Sequence, residues 1–182
     1  MSSLHSYNFK NKKALIRVDF NVPLDSKKEI TDDTRIRAAL PTILHVIKSG
    51  GCAIIMSHLG RPKNGPNNDF SLIHLVAHLE KLSKAKVHFS NNCIGDEAKS
   101  ICQSMKPGEI TLLENVRFYK EETLGDQNFA KKLADLGDCY VNDAFGTAHR
   151  AHSSTTHIAA YFTRENKMSG LLTPDVDEKI IG

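Results

Sequence analysis

Short apolar runs alternate with helix-patterned segments along most of this chain, and that alternation limits its fold more than any other feature. Strand-like runs fall at residues 14–18, 52–57, 86–89, 110–113 and 138–142. The second, Cys52-Ala-Ile-Ile-Met-Ser57, is apolar almost throughout, as a strand buried on both faces must be. Between these runs, apolar residues recur at helical spacing. Ile36, Ala39, Leu40, Ile43, Leu44 and Ile47 mark a helix over 35–48, with Asp32 and Asp33 as N-cap candidates and Gly50-Gly51 as its stop. Pro41 inside that stretch predicts a kink or a late start. Ser71 opens a second helix carrying Leu72, Leu75, Val76, Leu79 and Leu82; residues 95–105 and 126–136 form two more, and a short helix follows near 155–160. Residues 58–69, 115–125 and 144–154 read as loops, the first punctuated by Gly60, Pro62, Gly65 and Pro66.

A β-α-β-α-β-α-β-α-β order predicts an α/β fold, an open parallel sheet with helices on both faces in three layers, α/β/α. In such sheets a ligand lies beyond the carboxyl ends of the strands. That edge collects Asp19 and Asn21 after the first strand, His58 and Arg61 after the second, Asn115 and Arg117 after the fourth, and Asn142, Asp143, His149, Arg150 and His152 after the fifth; Arg35 opens the first helix. Four of the seven arginines (Arg35, Arg61, Arg117 and Arg150) are therefore on one edge, whereas the seventeen lysines are dispersed. Arginine offers a planar fork of donors to phosphate and carboxylate, so the cluster suits a small molecule bearing a phosphate, a carboxylate and a hydroxyl.

Each residue also has a plainer reading. A single arginine is more often a surface ion-pair partner, Asp19 can cap its loop or pair with Arg17, and Asn21 before Val22-Pro23 can serve a turn. His58, directly after an apolar strand, can be a satisfied core histidine. His149 and His152 lack an obvious third metal ligand, so no metal site is expected. His74 and His78 read as surface residues of their helix.

Other classes are disfavoured. A phosphate-binding loop of the Gly-x-x-x-x-Gly-Lys-Ser/Thr type and a Gly-x-Gly-x-x-Gly turn are both missing from the sequence. Aromatic content is 7% with no basic-aromatic stripe, and a net charge of +3 does not demand nucleic acid. No apolar run reaches the ~18 residues of a membrane span, and no leader is visible at the start. Cys52, Cys93, Cys102 and Cys139 are widely spaced, which predicts buried, reduced thiols in a cytoplasmic protein.

Four segments carry a family resemblance. Arg17-Val-Asp-Phe-Asn-Val-Pro23, Met56-Ser-His-Leu-Gly-Arg-Pro62, Leu113-Glu-Asn-Val-Arg-Phe118 and Val141-Asn-Asp-Ala-Phe-Gly-Thr-Ala-His-Arg-Ala-His-Ser-Ser154 closely resemble phosphoglycerate kinase, in the family's order. The resemblance spans residues 12–160. It implies a Rossmann-like domain that binds 3-phosphoglycerate or 1,3-bisphosphoglycerate, partnered in the full enzyme by a carboxy-terminal domain for Mg-ATP or Mg-ADP. It further implies that Asp19 and Asn21 hold the hydroxyl and carboxylate end, that His58, Arg61, Arg117 and Arg150 surround the 3-phosphate, and that Arg35 faces the transferring phosphoryl group as the catalytic residue. Residues 1–165 are then expected to form the substrate domain and 166–182 the start of an interdomain helix, with Thr173 as N-cap and Pro174 at the first helical position. The family's nucleotide loops have no counterpart, so the chain is expected to be the amino-terminal half alone, monomeric and inactive by itself. A stand-alone anion-binding domain is the alternative.

Overall fold

The computed structural model describes residues 2–144 and 150–171. Among the described residues six parallel strands form one sheet: β1 (Lys13–Val18), β2 (Cys52–Met56), β3 (Val87–Ser90), β4 (Ile110–Leu113), β5 (Cys139–Asp143) and β6 (Lys167–Ser169), in the spatial order β3-β4-β2-β1-β5-β6. β1 and β2 are central and almost wholly buried, which explains the wholly apolar sequence of β2 and the apolar run at residues 14–16 of β1. Register places Ile16 beside Ile55 on one side and Val141 on the other, so the carboxyl ends of the three strands stop level with one another. β6, beside β5, is one strand more than the sequence pattern reveals, because three residues are too few to show a period.

Alternation along each strand divides the core into two layers. Ala14, Ile16 and Val18 of β1, Ala53 and Ile55 of β2 and Val141 of β5 pack against α1 (Thr34–Lys48) and α2 (Val76–Ser83) through Ile36, Ile43, Val46 and Leu79. Leu15, Ile54, Met56 and Tyr140 face the other way, toward Ala98 and Cys102 of α3 (Asp96–Gln103) and Phe129, Ala130 and Leu133 of α5 (Gln127–Ala134). Truncating a fully buried residue such as Ile43 to Ala would cost ~2–5 kcal/mol. All four cysteines are buried and free.

The helix signals translate with small shifts. α1 starts at Thr34 and accommodates Pro41, so the late start does not occur; Asp32, not Asp33, accepts the Thr34 amide at 2.9 Å. Ser71 caps as expected, accepting the Ile73 amide at 3.2 Å, although the first turn is 3-10 before α2 begins. The segment 155–160 becomes a 3-10 helix at His157–Tyr161. The expected polar loop at 115–125 is not one: a 3-10 turn (Val116–Phe118) and α4 (Lys120–Leu124) occupy it. There the Asn115 side chain caps the Arg117 amide, and Glu122 is fully buried, so a polar residue takes an inward position that an apolar pattern would have marked. The helix expected from Thr173 onward lies outside the described residues, as does His149.

The chain leaves β1 toward β2 on one side and β5 toward β6 on the other. In open parallel sheets such a reversal of direction marks the carboxyl edge as the place for a ligand.

Candidate functional site: a cationic cleft at the carboxyl edge of the sheet

The loop after β2 is fastened at both ends. The Asn115 side-chain Nδ2 donates to the Leu59 carbonyl at 2.8 Å and the Phe70 carbonyl at 2.9 Å. Glu114, buried at the end of β4, accepts from the Leu72 amide at 2.8 Å, the Asn115 amide at 2.9 Å and the Ser71 hydroxyl at 2.6 Å. The Asn21 side-chain oxygen accepts the Gly60 amide at 2.8 Å. Gly60 itself has φ = +61°, and a Cβ there would run into the Phe70 ring. These bonds hold Arg61 at the carboxyl edge.

Arg61, Arg117, Arg150 and His152 line one cleft of about 860 Å³, together with Lys63 and Lys120. Among the described residues none of the three arginines is ion-paired with a carboxylate. Arg117 is half-buried; its Nη1 reaches only the Gly60 carbonyl, at 3.3 Å, and its buried Nε has no partner. Burial pulls the Arg117 pKa down, with repulsion from Arg17, Arg150 and Arg61 in the same direction and Glu122 opposing. His152 is buried with an unpartnered Nδ1, and its pKa is lowered by burial and then by Arg117, Arg150 and Arg17, against Glu122. Five cationic side chains and His152 line the cleft against the carboxylate of Glu121, and with donors left open they make a place for an anion.

A second group lies apart. Arg35, exposed at the start of α1, donates to the Asn21 carbonyl at 3.0 Å and stands 3.4 Å from Asp19. Asn21 and Arg35 line their own recess of about 360 Å³. The Arg35–Asp19 pair is long and solvated, so it contributes ~0–1 kcal/mol and leaves Arg35 free to reorient.

His58 sits between the groups. It is buried, its Nδ1 is 3.2 Å from Nη2 of Arg17, and its pKa falls to about 2 through burial, then the charges of Arg17, Arg117 and Arg35, with a contribution from His152. The two readings of His58 merge: it is satisfied on one nitrogen and faces a cationic neighbourhood. Asp19 pairs with Arg35 and not with Arg17, whose guanidinium bonds elsewhere. Asn142, at the end of β5, accepts the Ala144 amide at 3.1 Å.

The structure thus gathers Arg61, Arg117 and Arg150 round one cleft, groups Asp19, Asn21 and Arg35 beside it, and joins the two regions electrostatically through His58. His152, Lys63 and Lys120 were missing from the residues that the family resemblance implicated. His152 carried a signal, standing two residues after Arg150 in the same loop; the lysines carried none, being dispersed like all the others.

Fold and edge define an open parallel α/β domain with a cation-rich cleft at the carboxyl edge of its sheet, lined by the loops after β2, β4 and β5. The family model for phosphoglycerate kinase matches residues 4–175, and the chain belongs to that family. It is 49% identical over 193 residues to phosphoglycerate kinase of Porphyromonas gingivalis, covering 93% of this chain and 46% of that protein. It is 50% identical over 177 residues to the chloroplastic phosphoglycerate kinase 1 of Arabidopsis thaliana, covering 97% and 36%. Among solved structures, phosphoglycerate kinase from Pyrococcus horikoshii superposes with a TM-score of 0.88 at 32% identity, over 100% of this chain and 45% of that one. The Coxiella burnetii enzyme gives 0.83 at 38%, over 97% and 43%. The chain spans less than half the length of these relatives.

Proposed function

We propose that this chain is the substrate-binding half of a phosphoglycerate kinase, serving phosphoryl transfer between 1,3-bisphosphoglycerate and ADP, or the reverse. The observation that carries the reading is the cleft of Arg61, Arg117 and Arg150, all without carboxylate partners at the strand ends. In this reading residues 1–165 form the substrate domain and 166–182 lead to a nucleotide domain beyond it.

The 3-phosphate sits among Arg61, Arg117, Arg150 and the two histidines, His58 and His152. Charge-assisted bonds of about 1.5–3 kcal/mol each fix it there. Asp19 and Asn21 meet the hydroxyl and carboxylate end, Asn21 through its amide nitrogen, because its oxygen is committed to Gly60. Arg35 swings from its long contact with Asp19 to the transferring phosphoryl group. Phosphoryl transfer asks for positioning and charge neutralisation more than for a nucleophilic side chain, so Arg35 is the catalytic residue in this half. Mg-ATP or Mg-ADP is bound by the partner domain, which closes over the cleft and expels water.

Calorimetric titration of the chain with 3-phosphoglycerate tests the reading. Saturable binding that weakens in Arg61→Ala and Arg150→Ala is expected, without ATP turnover by the chain alone. No heat and no chemical-shift change at millimolar ligand would overturn it. Turnover on joining a matching carboxy-terminal domain separates an enzyme half from a stand-alone anion-binding domain.

A further inference from the structure

Of the two charged residues in the central strands β1 and β2, Lys13 and Arg17, Arg17 alone is completely buried. It lies on the face of β1 that also carries Leu15, toward α4 and the segment after Arg150. Its Nε donates to the Ser154 hydroxyl at 2.8 Å, its Nη1 to the Val18 carbonyl, and its Nη2 lies 3.2 Å from Nδ1 of His58. The Ser154 hydroxyl in turn donates to Glu122 Oε2 at 2.5 Å, and Glu122 Oε1 accepts the Ser154 amide at 2.8 Å. Glu122 is also fully buried.

Donor and acceptor roles in this chain have one solution. A guanidinium has donors only, so Nδ1 of His58 must offer its lone pair. A neutral imidazole with a bare Nδ1 carries its proton on Nε2. Arg17 also occupies a lone pair of the Ser154 hydroxyl, which sends the hydroxyl proton to Glu122. The buried guanidinium is balanced through that hydroxyl by a buried carboxylate, the pairing such a charge requires.

We propose that Glu122, Ser154 and Arg17 form a buried positioning chain that holds His58 as the neutral Nε2–H tautomer, presenting the cleft with a fixed, uncharged donor for an anionic substrate group. The proposal rests on the anion-binding reading above and specifies how one member of that site is prepared. The groups around His58 come from four elements: Arg17 on β1, Arg35 on α1, Arg117 after β4 and His152 after Arg150. All are cationic or able to become so, and none favours a second proton on the ring. A neutral donor binds an oxyanion without adding to the repulsion among Arg61, Arg117 and Arg150. The same anchor places the segment bearing Arg150 and His152. The Ser153 amide donates to the Glu122 carbonyl at 2.9 Å, and its hydroxyl lies 3.0 Å from the Glu121 carbonyl and 2.8 Å from that of Asp126. None of Glu122, Ser154 and Arg17 is required to touch the substrate.

The test is imidazole ¹H–¹⁵N spectroscopy of the full chain labelled at histidine, followed from mildly acidic to mildly alkaline pH. The expected result is one tautomer for His58, protonated on Nε2, unchanged across the range. In Ser154→Ala the tautomer becomes mixed, and affinity for inorganic phosphate and 3-phosphoglycerate falls about two- to tenfold, the worth of one hydrogen bond; Ser154→Thr, which keeps the hydroxyl, restores both. Arg17→Met with Glu122→Gln removes both buried charges together and gives the same mixed tautomer. A titrating His58, an Nδ1–H tautomer in the unaltered chain, or a single Nε2–H tautomer surviving the double variant overturns the proposal, and the first two need no variant to fold. A fixed tautomer in a chain that binds neither anion supports the positioning chain and refutes the proposed function instead.

Discussion

Replacing Arg117 with Met separates what this side chain contributes to folding from what it contributes to ligand binding. In the ligand-free chain its guanidinium is poorly placed: one long bond to the Gly60 carbonyl, a buried Nε with no partner, and three arginines that repel it. Losing the bond costs about 0.5–1.5 kcal/mol, whereas relieving an unsatisfied buried donor returns about 1–3 kcal/mol. Methionine keeps the apolar stem's packing. The variant should therefore fall between about 0.5 kcal/mol less stable and about 2.5 kcal/mol more stable than the parent on this balance. Binding should move the other way. Loss of a charge-assisted bond of about 1.5–3 kcal/mol weakens 3-phosphoglycerate about 10- to 150-fold. Ligand at about 100 times the parent's Kd stabilises the parent by about 2.7 kcal/mol; after a ~30-fold loss the same concentration gives under about 1 kcal/mol. Denaturant melts with and without ligand, alongside calorimetry, read both quantities. Arg164→Met, at an exposed arginine outside the cleft, should change neither. Unchanged affinity, or a ligand-free loss above about 2 kcal/mol, would show that Arg117 is structural and refute the reasoning.

Three further outcomes follow from the same geometry. In an assembly with a carboxy-terminal domain, Arg35→Ala should lower turnover ~10²-fold or more at saturating substrate, with a smaller change in KM, if it stabilises transferring charge; steady-state kinetics that moved only KM would make it a binding residue. Gly60→Ala places a side chain at φ = +61° and against Phe70, at a backbone strain of ~1–2 kcal/mol before any clash, so urea melts should show a loss of at least that size and calorimetry weaker phosphate binding. His58 has its pKa pushed from 6.5 to about 2 by burial first and then by Arg17, Arg117 and Arg35, so the unfolded chain takes up a proton that the fold refuses. The associated stability is complete above 6.5 and is lost as pH falls from there toward 2. Between about pH 7.5 and about pH 5.5 this group removes about 1.4 kcal/mol, a loss that denaturant melts of His58→Gln should lack.

The parts of this molecule legible in its sequence share one physical origin. Periodicity reports which residues avoid water, so β1, β2, β4 and the inner faces of α1 and α5 stand out, and the edge that collects Arg35, Arg61, Arg117 and Arg150 follows from the fold rule alone. What periodicity misses is inward-facing polarity. Glu122 and Asn115 made residues 115–125 read as a solvated loop, although Glu122 is sealed under Ser154 and Asn115 fastens the segment between Leu59 and Phe70. A carboxylate looks the same in a sequence whether it meets water or two buried donors; only its partners, thirty or forty residues away, distinguish the cases. Arg17 carried the single available hint. A charge in the middle of a strand whose neighbours are wholly apolar cannot be solvated there, so it must have buried partners, and those partners must be polar residues drawn from segments that otherwise read as loops. For Arg17 those segments are the polar stretches 115–125 and 144–154, where Glu122 and Ser154 lie. The division between the cationic cleft and the Arg35 recess had no such hint. The sheet-edge rule assigns residues to an edge but not to positions along it, and the register of β1, β2 and β5 with the bonds of Asn21 and Gly60 decides that spacing.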